Sequence, residues 1–251
     1  MIFLCTFAHS ILTRVYMSLE PKDMSPQEII EQISDIIGPL TPDEKSLLQD
    51  RITIRQYKRN EIIYRDLDIA DQIICLLDGK VKIFKDGIGH RNQIVRAIKP
   101  IEFFGYRACF AHEDYRTSAM ALEPALTVSI PIEETEQLIR GNYHVAFFFI
   151  NKLAKELGDS DDRIVSLTQK HIRGRLAEAL LFLKKNFGTE NDGYTLSIYL
   201  SREDLASLSN MTTSNAIRTL SSFVSEKIVV TDGRKIKILN DRELQKISEM
   251  G

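Results

Sequence analysis

The hydrophobic pattern of this 251-residue chain changes near Ile52 and again near Pro131, and these two changes constrain the fold more than any other feature. Between Ile52 and Ile132 short apolar runs alternate with turn residues, whereas the rest of the chain has the three-to-four-residue spacing of helices. Many short strands separated by pairs such as Asp78-Gly79 predict an antiparallel sandwich, roll or barrel, followed by a helical region. The expected strands lie at 53–57, 61–64, 72–77, 80–85, 93–98, 118–122 and 126–131.

Two short helices are expected before the strands. Ser25 and Thr41 each precede a proline at a first helical position, and Glu28 and Glu44 lie three residues after them. A serine or threonine with a glutamate three residues later is typical of a capping box, in which each side chain accepts a hydrogen bond from the other residue's backbone N–H. We expect both helices to belong to the same domain as the strands, over 25–141.

The first 24 residues are expected to be an N-terminal extension of doubtful structure, with Met1, Met17 or Met24 as the true start. Their apolar stretch is too short to cross a bilayer, and no basic residue precedes it as in a secretion signal. No other apolar run is long enough to span a membrane. The chain is therefore expected to be soluble, to have no membrane partner and to act in the cytoplasm.

The cysteines and histidines are spaced too widely for a metal centre. Cys5, Cys75 and Cys109 form no pair with the spacing of a zinc or iron–sulfur motif, and the five histidines show no paired spacing. No metal site and no iron–sulfur cluster are expected, and a reducing compartment is the default. The chain also lacks a nucleophile–base motif and a Walker loop, so it is not expected to be an enzyme.

A long helix is expected over 142–168. Apolar residues inside it follow the three-four rhythm of a coiled-coil seam, which is narrower than the face that most core helices bury. Pairing of two such helices in a homodimer is favoured over a helix that packs only on its own domain. The expected dimer interface consists of Ile150, Leu153, Leu157, Ser160, Ile164 and Leu167.

The last segment, residues 169–251, is predicted to contain a helix-turn-helix. Ser201 and Thr212 can each cap a helix, and a tight turn at 209–211 separates the two helices. The second helix would turn one apolar face inward and one polar face outward. The outward side chains, which can bond base edges or phosphates, are Thr213, Ser214, Asn215 and Arg218.

The charge is divided unevenly between the two parts of the chain. Residues 171–251 hold 12 basic and 10 acidic side chains, whereas residues 1–170 hold 21 and 25, so the net charge of −2 hides a slightly basic C-terminal domain. A hairpin directly after the second helix places Arg234, Lys235 and Lys237 in a wing that suits phosphates. Double-stranded DNA is the favoured partner. The alternative is a ligand-sensing protein whose C-terminal domain binds another protein.

From about Ser25 onward the chain resembles the Crp–Fnr superfamily of bacterial transcription regulators. The segments IICLLDGKVKIFK and SREDLASLSNMTTSNAIRTLSSFVSEKIV carry the resemblance. It implies an α+β fold with an N-terminal cyclic-nucleotide-binding-type β-roll, a dimerisation helix and a C-terminal winged helix-turn-helix. It also implies a homodimeric regulator that reads a near-palindromic operator and that, as an activator, contacts RNA polymerase.

The resemblance implies particular contacts with DNA. On the second helix only Arg218 matches the family's R-E-x-x-x-R reading pattern, so this arginine is expected to bind a guanine in bidentate fashion. Arg202 matches a phosphate-contacting arginine at the start of the first helix. The expected DNA-binding residues are Arg202, Thr212, Thr213, Ser214, Asn215, Arg218, Arg234 and Lys235.

The resemblance also implies an effector site in the roll. Gly105 and the pair Arg116-Thr117 keep the spacing of the family's phosphate-binding cassette, but Tyr106 stands where cyclic-AMP binders have a ribose-binding glutamate. Cyclic AMP is therefore disfavoured and the effector stays unidentified. A roll without a ligand, with Arg116 in a salt bridge, is the alternative. The expected effector residues are Gly105, Tyr106, Arg107, Arg116, Thr117, Ser160 and Asp161.

Overall fold

The computed structural model describes residues 24–87 and 91–251. The expectations for residues 1–23, including the alternative starts, lie outside these ranges. No helix in the described part of the chain combines the length and the apolar content that a membrane span needs.

Two capped helices open the described chain, α1 (Pro26–Ile37) and α2 (Pro42–Gln49). Both predicted capping boxes are present. In the first, the Glu28 N–H donates to Ser25 Oγ, while the Glu28 carboxylate accepts a hydrogen bond from the Ser25 N–H at 2.7 Å. The same exchange of bonds caps α2, which confirms the predicted starts of both helices.

The described residues include eight strands of a roll. They are β1 (Thr53–Tyr57), β2 (Ile62–Tyr64), β3 (Gln72–Asp78), β4 (Val81–Asp86), β5 (Asn92–Ile98), β6 (Glu102–Phe104), β7 (Ser118–Ala121) and β8 (Ala125–Pro131). Two four-stranded antiparallel sheets form, with the orders β1-β8-β3-β6 and β2-β7-β4-β5. The predicted roll is confirmed, and β5 lies at the edge of the second sheet.

The central strand β3 is buried on both faces, which explains its continuous apolar run. Ile74 and Leu76 pack in the interior of the roll between the two sheets. Ile73 and Cys75, which alternate with them, pack in a second cluster with α1 and the long helix. The N-terminal helices therefore cover the outer face of the first sheet.

Strand β6 and the short helix α3 (Tyr106–Phe110) have no counterpart among the predicted elements. Gly105 connects them with φ 86°, a left-handed conformation that glycine adopts without steric cost. A Cβ atom at this position would lie 3.3 Å from the Tyr115 hydroxyl oxygen. With three and five residues, the two elements are too short to produce a periodic pattern in the sequence.

A long helix connects the two domains. α4 (Ile132–Gly141) leads into α5 (Tyr143–Gln169), which has 27 residues and is therefore about 40 Å long. Asn142 caps α5 with its side-chain oxygen. Only the two residues 170–171 separate α5 from α6 (Ile172–Phe187), so the connection between the domains is short.

The C-terminal domain is the predicted winged helix-turn-helix. After α6 come α7 (Arg202–Leu208), α8 (Thr213–Ser225), β9 (Val229–Asp232), β10 (Lys235–Ile238) and α9 (Asp241–Met250). The antiparallel pair β9–β10 is the wing. The last helix, α9, was not among the expected elements. α7 packs against the edge of the roll, so that side chains of both domains share one buried apolar cluster.

Candidate nucleic-acid interface and sensor pocket

Capping side chains build the turn between α7 and α8. Ser201 Oγ accepts a hydrogen bond from the Asp204 N–H at 2.9 Å, and Thr212 Oγ1 accepts one from the Asn215 N–H at 3.2 Å. Between the helices Asn210 has φ 49°, in the left-handed region that asparagine tolerates better than most residues. The two predicted caps are thereby confirmed.

The second helix, α8, separates a buried face from an exposed one. The inward residues are Ala216, Thr219, Leu220 and Phe223. Thr213, Ser214 and Arg218 are exposed, and Asn215 is half-buried. Among the residues that the structure describes, none forms an ion pair with Arg218, so its guanidinium donors are available to an external acceptor. The outward face can therefore bond base edges or phosphates.

Ile217 lies on the same exposed face, and sequence reasoning missed it. Its side chain is about half exposed although it is aliphatic. An apolar side chain on a reading helix can contact the 5-methyl group of thymine in the major groove. The i, i+4 spacing of Thr213, Ile217 and Ser221, which places all three on one helix face, is the signal that could have found it.

The wing contributes exposed basic residues at its turn. Arg234 and Lys235 are exposed, whereas Lys237 pairs with Asp192 at 3.1 Å. Hydrogen bonds from the Thr195 side chain and backbone hold the pKa of the Asp192 carboxyl below its usual range. Lys237 is therefore engaged by a carboxylate of its own domain, whereas Arg234 and Lys235 can contact phosphates.

Arg202 connects the first helix to the wing. Its Nη2 donates to the Gly233 carbonyl at 2.8 Å. Its Nη1 is buried and has no hydrogen-bond partner among the described residues. Since an unsatisfied guanidinium donor is costly, a movement of the Arg202 side chain that brings Nη1 to a phosphate oxygen at the start of α7 would be favourable.

Arg173 of α6 supports the C-terminal end of α8. It donates to Glu226 Oε1 at 2.9 Å and to Ser222 Oγ at 3.0 Å, and its guanidinium lies 4.8 Å from the centroid of the Phe223 ring. The bond from Arg173 lowers the pKa of Glu226. Because α8 is capped at its start and braced at its end, its exposed side chains stand on a rigid helix.

An exposed apolar stripe runs along the long helix α5. Ile150, Leu157 and Ile164 are 57%, 65% and 60% exposed. Tyr143 and Phe147 extend the stripe toward the start of the helix. The repeat of seven residues from Ile150 to Ile164 is the repeat of a coiled coil. The structure thus brings three of the six expected interface residues onto one open face.

The other three expected interface residues have different surroundings. Leu153 is half-buried and packs against the apolar cluster between the roll and its helices. Leu167 is also half-buried. Ser160 is exposed, and its Oγ donates to the Glu156 carbonyl of the same helix at 2.7 Å. The stripe available to a partner therefore keeps Ile150, Leu157 and Ile164 of the expected seam and extends beyond it to Phe147.

A small cavity lies in the roll beside α3. Its volume is about 20 Å³, which is room for about one water molecule. Four of the expected effector residues contribute to its wall, namely Gly105, Arg107, Arg116 and Thr117. The complete lining is Tyr64, Ile83, Arg96, Gly105, Arg107, Ala108, Tyr115, Arg116 and Thr117.

Two aromatic rings restrict this cavity. Tyr64 and Tyr115 are stacked, with ring centroids 3.8 Å apart and planes 13° from parallel. The Tyr115 hydroxyl donates to the Gln72 carbonyl at 3.1 Å, which fixes the pair. Burial raises the pKa of Tyr64 to about 12, so this wall is neutral at physiological pH. A molecule larger than water needs a rearrangement of the cavity wall, of which the stacked rings are one part.

Glu113 pairs with two of the three arginines that line the cavity. Arg116 Nε lies 2.8 Å and Arg107 Nη1 3.3 Å from Glu113 Oε2. The first of these is the salt bridge that the ligand-free alternative predicted for Arg116. An entering anion must compete with Glu113 for the two guanidinium groups.

The remaining expected effector residues lie outside the cavity wall. Tyr106 is fully buried, and its hydroxyl donates to Glu156 of α5 at 2.5 Å. Burial, followed by this bond, raises the pKa of Tyr106. Arg96 pairs with the same carboxylate at 2.7 Å and also lines the cavity. Ser160 and Asp161 are exposed on α5.

The described thiols are free and buried. Burial raises the pKa of Cys75 to about 12 and that of Cys109 to about 11. Cys5 lies outside the described residues. Within 24–87 and 91–251 no cluster of three or more histidine, cysteine or carboxylate side chains has a geometry that could hold a metal ion.

Two protein-family models match the chain. A cyclic nucleotide-binding domain model matches residues 54–142, and a Crp-like helix-turn-helix domain model matches residues 174–247. The first match covers the roll and α4, and the second covers α6 to α9. The two matched domains therefore correspond to the two packed units of the structure.

Comparison with known proteins gives relatives of the same kind. The chain is 24% identical over 188 residues to the global nitrogen regulator of Nostoc sp., a match that covers 74% of this chain and 84% of that protein. It is 24% identical over 196 residues to the cyclic AMP receptor protein of Thermus thermophilus, covering 78% and 88%. Among solved structures, FixK2 from Bradyrhizobium japonicum has the same fold, with a TM-score of 0.71, 22% identity and coverage of 78% and 96%.

Proposed function

We propose that this chain, which belongs to the Crp–Fnr superfamily of DNA-binding transcription regulators, acts as a homodimer that reads a near-palindromic operator. The exposed polar face of α8 carries the proposal. Thr213, Ser214 and Arg218 stand on a helix that is fixed at both ends, and Arg218 is free to bind a guanine in the major groove.

The contacts with DNA are divided by chemistry. Base edges are read by Arg218 and by the short polar side chains near the start of α8. Phosphates are bound by Arg202, after its side chain exposes Nη1, and by the basic turn of the wing. The proposed DNA-binding residues are Arg202, Thr212, Thr213, Ser214, Asn215, Arg218, Arg234 and Lys235.

The exposed stripe of α5 supports the homodimer. A helix with Ile150, Leu157 and Ile164 in solvent leaves a long apolar face uncovered, and a second copy of the same helix can cover it. A two-fold axis along α5 then presents two α8 helices to one side of a duplex. Recognition helices about 34–36 Å apart enter successive major grooves, which predicts an inverted repeat.

The cavity in the roll is the proposed effector site, with Gly105, Arg107, Arg116 and Thr117 in its wall and Tyr106 beneath it. Because the cavity holds about one water molecule, a larger effector must rearrange its wall, and the proposed movement is an opening of the Tyr64–Tyr115 stack. Cyclic AMP stays disfavoured, since Tyr106 is engaged with α5. The regulator is proposed to act in the cytoplasm, and as an activator it would also contact RNA polymerase.

Selection of bound DNA from a random pool, combined with sedimentation, tests the proposal. The expected result is an inverted repeat with half-site centres about one helical turn apart, bound by a species of twice the chain mass. The variant Thr213→Ala/Arg218→Ala serves as the control and is expected to enrich no sequence. A monomer in solution, or enrichment of single unrepeated half-sites by the unaltered protein, would contradict the homodimer.

A further inference from the structure

One serine joins the edge strand β5 to the helix α7. Ser207 is buried, and its Oγ accepts a hydrogen bond from the Ile94 N–H at 2.8 Å and donates one to the Asn92 carbonyl at 2.6 Å. An edge strand leaves a row of N–H and C=O groups without sheet partners. Ser207 satisfies one of each, so a single hydroxyl closes part of the roll's open edge against the helix-turn-helix domain.

Two further side chains bind carbonyl groups at the same junction. Gln93 Nε2 donates to the Ser207 carbonyl at 2.6 Å. Arg163, which belongs to α5, donates from Nη2 to the Ile94 carbonyl at 2.5 Å and to the Leu208 carbonyl at 3.2 Å. Arg163 therefore connects the long helix α5, the edge strand β5 and the helix α7 at one point.

An ion pair with little solvent access reinforces the junction. Lys82 of β4 and Asp204 of α7 are 2.5 Å apart, and their side chains are only 13% and 16% exposed. Low exposure protects such a pair from screening by salt. The side chains that join the two domains, referred to below as the interdomain seam, are Lys82, Gln93, Arg163, Asp204 and Ser207.

The interdomain seam holds the helix-turn-helix domain against the roll without covering the exposed polar face of α8. α8 follows α7 after a short turn, so a contact that fixes α7 also fixes α8. Thr213, Ser214 and Arg218 nevertheless stay exposed. The covalent connection between α5 and α6 consists of residues 170–171 alone, which would act as a hinge if no other contact held the domain. These features suit a contact that positions the domain and does not block it.

We propose that the interdomain seam, with Ser207 as its central positioning residue, sets the separation of the two α8 helices and hence the strictness with which operator spacing is read. The inference rests on the proposed homodimer. One extra base pair between half-sites displaces the second half-site by about 3.4 Å and rotates it by about 35°. A helix-turn-helix domain that is held by the seam cannot follow the displaced half-site. A helix-turn-helix domain that can rotate about residues 170–171 can follow it.

The test uses a series of operators with identical half-sites whose separation differs by one or two base pairs. The unaltered protein is expected to lose about tenfold in affinity for a change of one base pair, and Lys82→Met/Ser207→Ala about threefold or less. Ser207→Thr, which keeps the hydroxyl, is expected to retain the original ratio. Lys80→Met is the matched control, because it removes the Lys80–Glu123 ion pair within the roll and leaves the seam intact.

Two outcomes would overturn the proposal. If the seam only stabilises the fold, the double variant loses affinity for all operators by one factor and its spacing ratio is unchanged. If the seam blocks DNA binding, the variant binds every operator more tightly. Should the double variant not fold, Ser207→Ala alone, which keeps the Lys82–Asp204 pair, is judged by the same ratio. Sedimentation separates the two proposals: a monomer removes the homodimer, whereas a dimer with an unchanged ratio removes only the role of the seam.

Discussion

Tyr106 donates a 2.5 Å hydrogen bond to Glu156 and thereby joins the helix beneath the sensor cavity to the long helix α5. Arg96, which lines that cavity, pairs with the same carboxylate. Glu156 is thus one of the points at which the roll and the helix meet. An anion that drew Arg96 into the cavity would weaken its bond to α5, which would give the proposed effector a physical route of action on the long helix.

Replacing Tyr106 with phenylalanine is expected to lower the free energy of unfolding by about 1–3 kcal/mol, because a buried hydrogen bond to a carboxylate is lost. Arg96 still pairs with Glu156, which favours the lower half of this range. Urea unfolding measures the change. Tyr194→Phe, at an exposed tyrosine of the C-terminal domain, is the control and is expected to shift stability by less than about 0.5 kcal/mol. Equal stability of both variants would contradict the proposed tie.

Arg218→Ala is expected to weaken operator binding by about 1–3 kcal/mol while hardly changing affinity for random DNA, because a bidentate guanine contact carries sequence information. Titration of the two DNAs at one fixed salt concentration measures both quantities. The matched control is Arg242→Ala, an exposed arginine of α9. Equal losses on operator and random DNA would place Arg218 on the phosphate backbone.

Substitutions at two leucines of α5 are expected to affect different properties, dimerisation at Leu157 and protomer stability at Leu153. Leu157→Glu puts a charge in the exposed stripe and should yield a monomer by sedimentation at micromolar concentration, with the protomer still folded. Leu67→Glu, at another exposed leucine, should leave the oligomeric state unchanged. Leu153→Ala should instead lower protomer stability by about 2 kcal/mol, since this side chain packs against the roll. A dimeric Leu157→Glu protein would exclude the stripe as the interface.

Low pH is expected to reduce the stability of the folded protein because Asp192, which pairs with Lys237 of the wing, becomes protonated. Hydrogen bonds from Thr195 lower the pKa of this carboxyl in the folded state. A lowered pKa means that the stabilisation is fully present above the unfolded value, near 3.9, and is lost as the pH falls below it. Asp192→Asn should therefore unfold at a lower temperature than the unaltered protein at pH 7, and the difference should shrink below about pH 4. A difference in unfolding temperature that does not change with pH would show that the charge of Asp192 is unimportant.

Much of the DNA-binding domain could be predicted from the sequence because its signals are local. Ser201 and Thr212 cap helices within three residues of themselves, and the turn chemistry at Asp232-Gly233 marks the wing. The helix α9 was open to the same reasoning, since Asn240 accepts a hydrogen bond from the Glu243 N–H. Local capping chemistry therefore predicted α7 and α8 well.

The other features depend on residues far apart in the chain. The three-four rhythm of α5 could not decide between Leu153 and Leu157, because only the packed roll shows which side of the helix is already covered. The sequence around Ser207 indicates only a serine within a helix. The structure shows that it bonds β5, which lies more than a hundred residues earlier in the chain. In the sequence, Tyr106 likewise shows only that the glutamate of cyclic-AMP binders is absent. In the structure its hydroxyl donates a hydrogen bond to Glu156 of α5.

The stacked pair Tyr64–Tyr115 has a spectroscopic consequence. The chain contains eight tyrosines and no tryptophan, so tyrosine dominates its absorption near 280 nm and its emission. Two of those rings restrict the cavity in direct contact with each other. Separating them would alter their electronic coupling and hence the near-ultraviolet circular dichroism. The regulator thus carries an intrinsic, label-free optical probe of cavity opening, against which candidate effectors can be screened without knowing the operator.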